Sequence, residues 1–257
     1  MRKTCLAVCT MLVIHVTSAA AQIVIVDRPS FNDAATFLAL SRTPVGGLPP
    51  VATSTILGDV QSGVALALRY GHVGGGDLIL GPNGEEVSLN NFAATAVLPI
   101  STASTLSLTA GVSAPSEGSS ALMLSIGGDT RLTAMPLSDT RSGMRLNVGL
   151  NGELGYGKPS EATLIAGSVG LPISLVSGSA PRDAMHIVPF LTPAITFSSF
   201  DPDDSRFATE SAVHFMLGGG LGIYNRSSTV AFNVGFQYMA ISGASTQFGI
   251  ALTLGGR

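Results

Sequence analysis

Across 257 residues the chain is 46% apolar and 11% charged, with 31 glycines and no tryptophan, and its mean hydropathy is +0.45. Hydrophobicity on this scale excludes a disordered chain, and so little charge sets it apart from ordinary cytosolic domains. A formal net charge of −3 leaves no basic stripe to neutralise phosphates, which excludes nucleic acid as a partner.

The chain opens with Arg2 and Lys3, an apolar run from Cys5 to about Val16, and the small residues Thr17-Ser18-Ala19-Ala20-Ala21. That order reads as a signal peptide over residues 1–21, cleaved after Ala21. Both cysteines, Cys5 and Cys9, lie within it, so the exported chain is expected to carry no disulfide and no thiolate metal site. Its loss also takes two positive charges from the remainder. Residues 22–60 form a different kind of segment. Ser30 starts a short helical pattern through Ala34, Phe37 and Leu40, and Thr43-Pro44 to Pro49-Pro50 breaks it. The expectation is a mobile leader, or a periplasmic plug entering the mouth of the domain that follows.

From residue 61 onward no apolar run reaches the roughly 18 residues of a spanning helix, and the hydrophobicity is carried instead by a period of two. Val230, Phe232, Val234, Phe236 and Tyr238 alternate with Ala231, Asn233, Gly235 and Gln237. Leu66, Leu68 and Tyr70 alternate with Ala65, Ala67 and Arg69, and Met144, Leu146, Val148 and Leu150 with Arg145, Asn147, Gly149 and Asn151. One face of each strand is bulky and apolar, the other small or polar. A soluble sandwich would bury the bulky face and expose Lys and Glu, yet Lys158 is the only lysine after residue 3. The inverted polarity of a transmembrane barrel fits better, with apolar residues toward lipid and small or polar ones toward the lumen.

Ten strands are predicted, over 62–73, 90–100, 104–114, 120–136, 142–157, 162–176, 185–199, 211–225, 229–241 and 246–255. The fold class is therefore all-β: a closed, antiparallel, up-and-down transmembrane β-barrel over residues 61–257, of about ten strands within a range of eight to twelve. Closure follows because unpaired backbone groups cannot face lipid. With the first strand running outward, periplasmic turns fall near 101–103, 137–141, 176–184 and 226–228, and the longer outer loops near 74–89 and 200–210. Pro99, Pro172, Pro189 and Pro193 interrupt predicted strands, and Pro193, the deepest, is expected to sit at a bulge or at irregular pairing.

The register sets Arg69, Asp129, Arg131, Arg145, Asn147, Asn151, Glu153, Asn233 and Gln237 on the lumen face. They read as a salt-bridged polar core or as a charged constriction that selects solutes. Tyr70, Phe92, Tyr156, Phe197, Phe215, Tyr238 and Phe248 fall on the lipid face toward the outer ends of their strands, as an aromatic girdle does.

The C-terminal run Gln247-Phe248-Gly249-Ile250-Ala251-Leu252-Thr253-Leu254 resembles the assembly signal of bacterial outer-membrane β-barrel proteins, with Gln247, Gly249, Leu252 and Leu254 at the matching positions. In that family the signal usually ends on an aromatic, whereas here Leu254 is followed by Gly255-Gly256-Arg257. The resemblance implies a protein of the cell outer membrane, whose partners are the lipid bilayer, the barrel-assembly machinery and small solutes. It also implies a porin-like passive channel or a structural surface barrel.

No catalytic residue is assigned. His72, His186 and His214 show no pairing with an acid that would make a rim hydrolase, which is kept as an alternative, as is an adhesin acting through the loops at 74–89 and 200–210. Asp201, Asp203 and Asp204 invite a calcium reading but lack the glycine and distal glutamate of a calcium loop. Gly218-Gly219-Gly220 lies inside an alternating strand and opens no helix, so it is not a phosphate loop. No metal and no cofactor are expected.

Overall fold

The computed structural model describes residues 63–74, 86–117, 120–137, 143–158, 162–177, 185–203, 208–225, 230–241, 244 and 246–255. The expected signal peptide, the 22–60 segment, most of the 74–89 loop and Asp204 lie outside them. Every regular element among the described residues is a strand: β1 (Ala65–Val73), β2 (Leu89–Pro99), β3 (Ser104–Pro115), β4 (Ala121–Pro136), β5 (Met144–Lys158), β6 (Ala162–Gly170), β7 (Ile173–Ser177), β8 (Met185–Pro202), β9 (Glu210–Asn225), β10 (Val230–Met239) and β11 (Gln247–Gly255).

Strands next to each other in sequence pair antiparallel, except β6 and β7, each of which pairs with β5 and β8. β4 pairs with β5 and β1 with β11, so the sheet closes on itself. β6 and β7 occupy one position in the wall, because the register of β5 runs on from Asn151↔Gly170 to Val148↔Ile173. The result is a closed barrel ten strands round, in which every strand has a partner on each side. The rim where β1 ends at Val73 is the upper rim, and the rim where it begins is the lower.

The predicted sixth strand is thus divided at Leu171-Pro172. Gly149 N donates to the Pro172 carbonyl at 2.8 Å and Leu171 N to the Pro193 carbonyl at 2.9 Å, but neither proline can return a donor. At Pro193 there is no bulge, since β8 keeps one register against β6 and β7 and another against β9, but the pairing is irregular there, because the ladder breaks between Ala194 and Leu191 where β6 gives way to β7. A carbonyl-only rung is enough to hold the spacing there. The bulge lies in β4 instead, where the register against β5 shifts between Arg131 and Thr133 and leaves Leu132 as the extra residue.

The side-chain polarity is inverted relative to a soluble protein. Phe232 is 38% and Val234 40% exposed on the outer face, while Ala231 and Asn233 between them are buried inside. Outward glycines are roofed by aromatic rings. A methyl on Gly167 would collide with the ring of its register partner Phe197, and one on Gly219 would stand 3.1 Å from the ring of Phe236.

Candidate functional site

The polar belt of the lumen is built from strand pairs in which a long side chain faces a glycine. Glu153 stands opposite Gly127 and Arg131 opposite Gly149. Asn151 faces Gly170, Asn91 faces Gly71, and Asn233 and Gln237 face Gly222 and Gly218. The room is used at two of these: a methyl on Gly127 would lie 3.1 Å from Glu153 Cγ, and one on Gly170 would lie 2.6 Å from Asn151 Oδ1. Alternating large and small residues is how a small barrel fills its interior.

Arg69 on β1 and Asp129 on β4 are buried, and Asn147, Asn233 and Gln237 are buried with them. Asp129 Oδ2 accepts a hydrogen bond from Thr105 Oγ1 at 2.7 Å. Glu153 accepts one from Ser125, and its charge attracts that of Arg69 across the lumen from β5 to β1. Thr95 and Thr109 share a buried hydroxyl bond of 2.9 Å. Arg131 and Arg145 step down toward the lower rim and are progressively less covered, Arg145 being exposed. The predicted lumen residues therefore separate into a buried group, around Arg69, Asp129, Asn147, Asn233 and Gln237, and a better-hydrated one that ends at Arg145.

Above this belt the lumen is apolar, which the alternation did not foretell. Val73, Leu89, Leu164 and Met239 are fully buried, and with Val87, Phe200, Met216 and Ile241 they belong to one cluster drawn from β1, β2, β6, β8, β9 and β10. Gln237 and Gln247 turn their amides toward the sulfurs of Met216 and Met239 at its lower boundary. Apart from Met216 within β9, these residues lie at or just beyond strand ends, where only one or two inward positions remain before the connection, too few to show a period.

The girdle residues lie on the outer face in the upper half of the barrel. Tyr156, Phe197, Phe215, Tyr238, Phe92 and Phe248 are exposed there, and Tyr70 is half-buried. Tyr70 packs on Phe92 with ring centroids 5.1 Å apart and donates through its hydroxyl to Asn90 Oδ1 at 2.9 Å. His72 Nδ1 lies 3.1 Å from the same oxygen.

In the solved transport unit of the autotransporter AIDA-I from Escherichia coli the match covers 90% of this chain and 100% of that one, at a TM-score of 0.50 and 12% identity. The chain has the fold of the bacterial outer-membrane β-barrels. The translocator domain of the autotransporter NalP from Neisseria meningitidis aligns over 76% of this chain and 88% of that one, at a TM-score of 0.40 and 12% identity. LpxR from Salmonella typhimurium aligns over 66% and 73%, at 0.39 and 9%. No family model and no curated protein matches the sequence.

Within this outer-membrane-type barrel the C-terminal run forms the closing strand. Gln247 and Gly249 of β11 face the lumen and Leu252 and Leu254 face outward, and β11 is held between β10 and β1. The three histidines are dispersed. His72 is on the outer face near the upper rim. His186 is buried inside near the lower rim, stacked on Tyr224 at 5.0 Å. His214 faces inward opposite Thr196, whose Oγ1 donates to its carbonyl at 3.1 Å. Of the acidic run at the upper rim, Asp203 pairs with Lys158 at 2.8 Å and Asp201 accepts from Thr209 at 2.6 Å.

Proposed function

We propose that the chain is an exported outer-membrane barrel that stands closed at its extracellular end and serves chiefly as a surface barrel, with the upper rim outside the cell. One observation carries the reading: Val73, Leu89, Leu164 and Met239 are sealed from water at the upper end of the lumen. An apolar constriction excludes ions by dewetting even where a narrow gap remains. The longest stretch of sequence between two strands, residues 74–88 between β1 and β2, joins them at that rim, which supports its outward orientation. β11 would supply the contact with the assembly machinery, and the bilayer would cover the outer face. No catalysis is assigned in this reading, and the dispersal of His72, His186 and His214 supports that assignment.

A second reading, passive passage of small solutes, is favoured by the belt of Arg69, Asp129 and Glu153, whose opposed charges would hold water and polar solutes once the apolar cluster moved aside. Planar-bilayer recording separates the two. The wild-type protein is expected to be silent and the Leu164→Ala/Met239→Ala variant to conduct. Steady porin-sized conductance by the wild type would overturn the closed-barrel reading.

A further inference from the structure

The barrel wall is weakest along one line. β8 pairs with β9 without interruption from Met185↔Asn225 to Phe200↔Glu210, but on its other side β8 keeps only two register pairs with β7, Ile173↔Leu191 and Ser174↔Phe190. Proline explains the shortfall. Leu171 N donates to the Pro193 carbonyl, which fixes the side to which residue 193 directs its backbone groups, so the bond that residue 193 should return across the seam is missing. Continuing the register sets Leu175 against Pro189, whose groups point the same way, and the pairing stops there. Apolar side chains flank the seam on both faces, interspersed on the inner one with the buried Ser174, His186 and Thr192. Inside, Val176, Val188, Phe190, Tyr224 and Ala231 form a buried cluster; outside, Leu171, Ile187 and Leu191 are exposed.

We propose that the β7–β8 seam is a lateral portal near the lower rim, where the wall parts and admits lipid acyl chains to the cluster around Val188 and Phe190. Parting here breaks few ladder bonds and joins two largely apolar surfaces, the outer face and the cluster around Val188 and Phe190. The inference rests on the reading that the outer face meets lipid.

The test uses full-length protein with Cys5 and Cys9 replaced by serine, reconstituted in phosphatidylcholine vesicles containing a maleimide attached to an acyl chain. Val234→Cys on the outer face should label fastest. Val188→Cys should label at least tenfold faster than Val97→Cys, which is buried on the inner face of β2. Restoring the donors with Pro189→Val/Pro193→Val should slow Val188→Cys toward the Val97→Cys rate. No labelling at Val234→Cys would overturn the membrane reading itself. Labelling at Val234→Cys with equal rates at positions 188 and 97 would overturn the portal alone. Hydrogen exchange on the wild-type protein gives an independent measure should the proline variant not fold. The Ile173 amide, directed at β8, should exchange at least tenfold faster than that of Ser174, directed at β5, and equal rates would contradict the portal.

Discussion

Gly127 faces Glu153 across one rung of the β4–β5 ladder, and the carboxylate side chain lies over the space that a methyl group on the glycine would fill. The glycine places the acid as much as β5 does. Without that space Glu153 could not lie flat against the wall and reach Ser125.

Gly127→Ala is therefore expected to destabilise the barrel by about 1–3 kcal/mol, the usual cost of overpacking, since the added carbon would also press on the Gly152 carbonyl at 2.9 Å. Gly152→Ala is the control. Its methyl would meet nothing closer than 3.6 Å, so its effect should stay within about 0.5 kcal/mol. Urea unfolding in vesicles measures both.

On the outer face, Gly167 and Phe197 should behave as a coupled pair. Gly167→Ala forces the Phe197 ring off its seat, and Phe197→Ala removes both the clash and the roof. A double-mutant cycle is expected to return a coupling of about 0.5–3 kcal/mol, with the double variant more stable than the two single losses would sum to.

Charge on the outer face should be penalised by depth. Val234→Arg, at mid-strand, is expected to cost about 2–4 kcal/mol in a bilayer, and Val64→Arg, at the lower rim, about 0–1 kcal/mol. Equal penalties at the two positions would mean that depth in the bilayer does not differ between them.

The upper-rim pair of Lys158 and Asp203 is short at 2.8 Å, but the two side chains are 42% and 50% exposed. Solvent screening limits such a pair to about 0–1 kcal/mol. Lys158→Gln should leave the unfolding midpoint nearly unchanged in salt, and a larger loss would point to a further role for this lysine.

The wall of the barrel was legible in the sequence because a strand with two different solvents on its faces must alternate. Runs such as Val230 to Tyr238 fix both strand and polarity, and nine of the ten predicted segments became single strands. The tenth divided at Leu171-Pro172, since a proline in the run removes a donor without disturbing the alternation that was read. The shift at Leu132 in β4 left no mark because the residues beyond it do not alternate clearly in polarity: the register turns Thr133, opposite Val148, outward and Ala134, opposite Asn147, inward. The lumen belt could be placed by parity, yet its internal geometry depends on which glycine faces which acid or amide. That is a matter of register between strands, which turns and closure set. The upper apolar cluster was hidden for a related reason: Val73, Leu89, Leu164 and Met239 come from separate strand ends and become neighbours only when the barrel closes.

The central claim, that the bulky face meets hydrocarbon, is tested most directly by placing single tryptophans in this tryptophan-free chain at Phe232 and Val234, and measuring their quenching by lipids brominated along the acyl chain. Strong quenching by the brominated lipid, with little by aqueous iodide, is the predicted result. Emission at both positions that the brominated chains leave untouched would contradict the account.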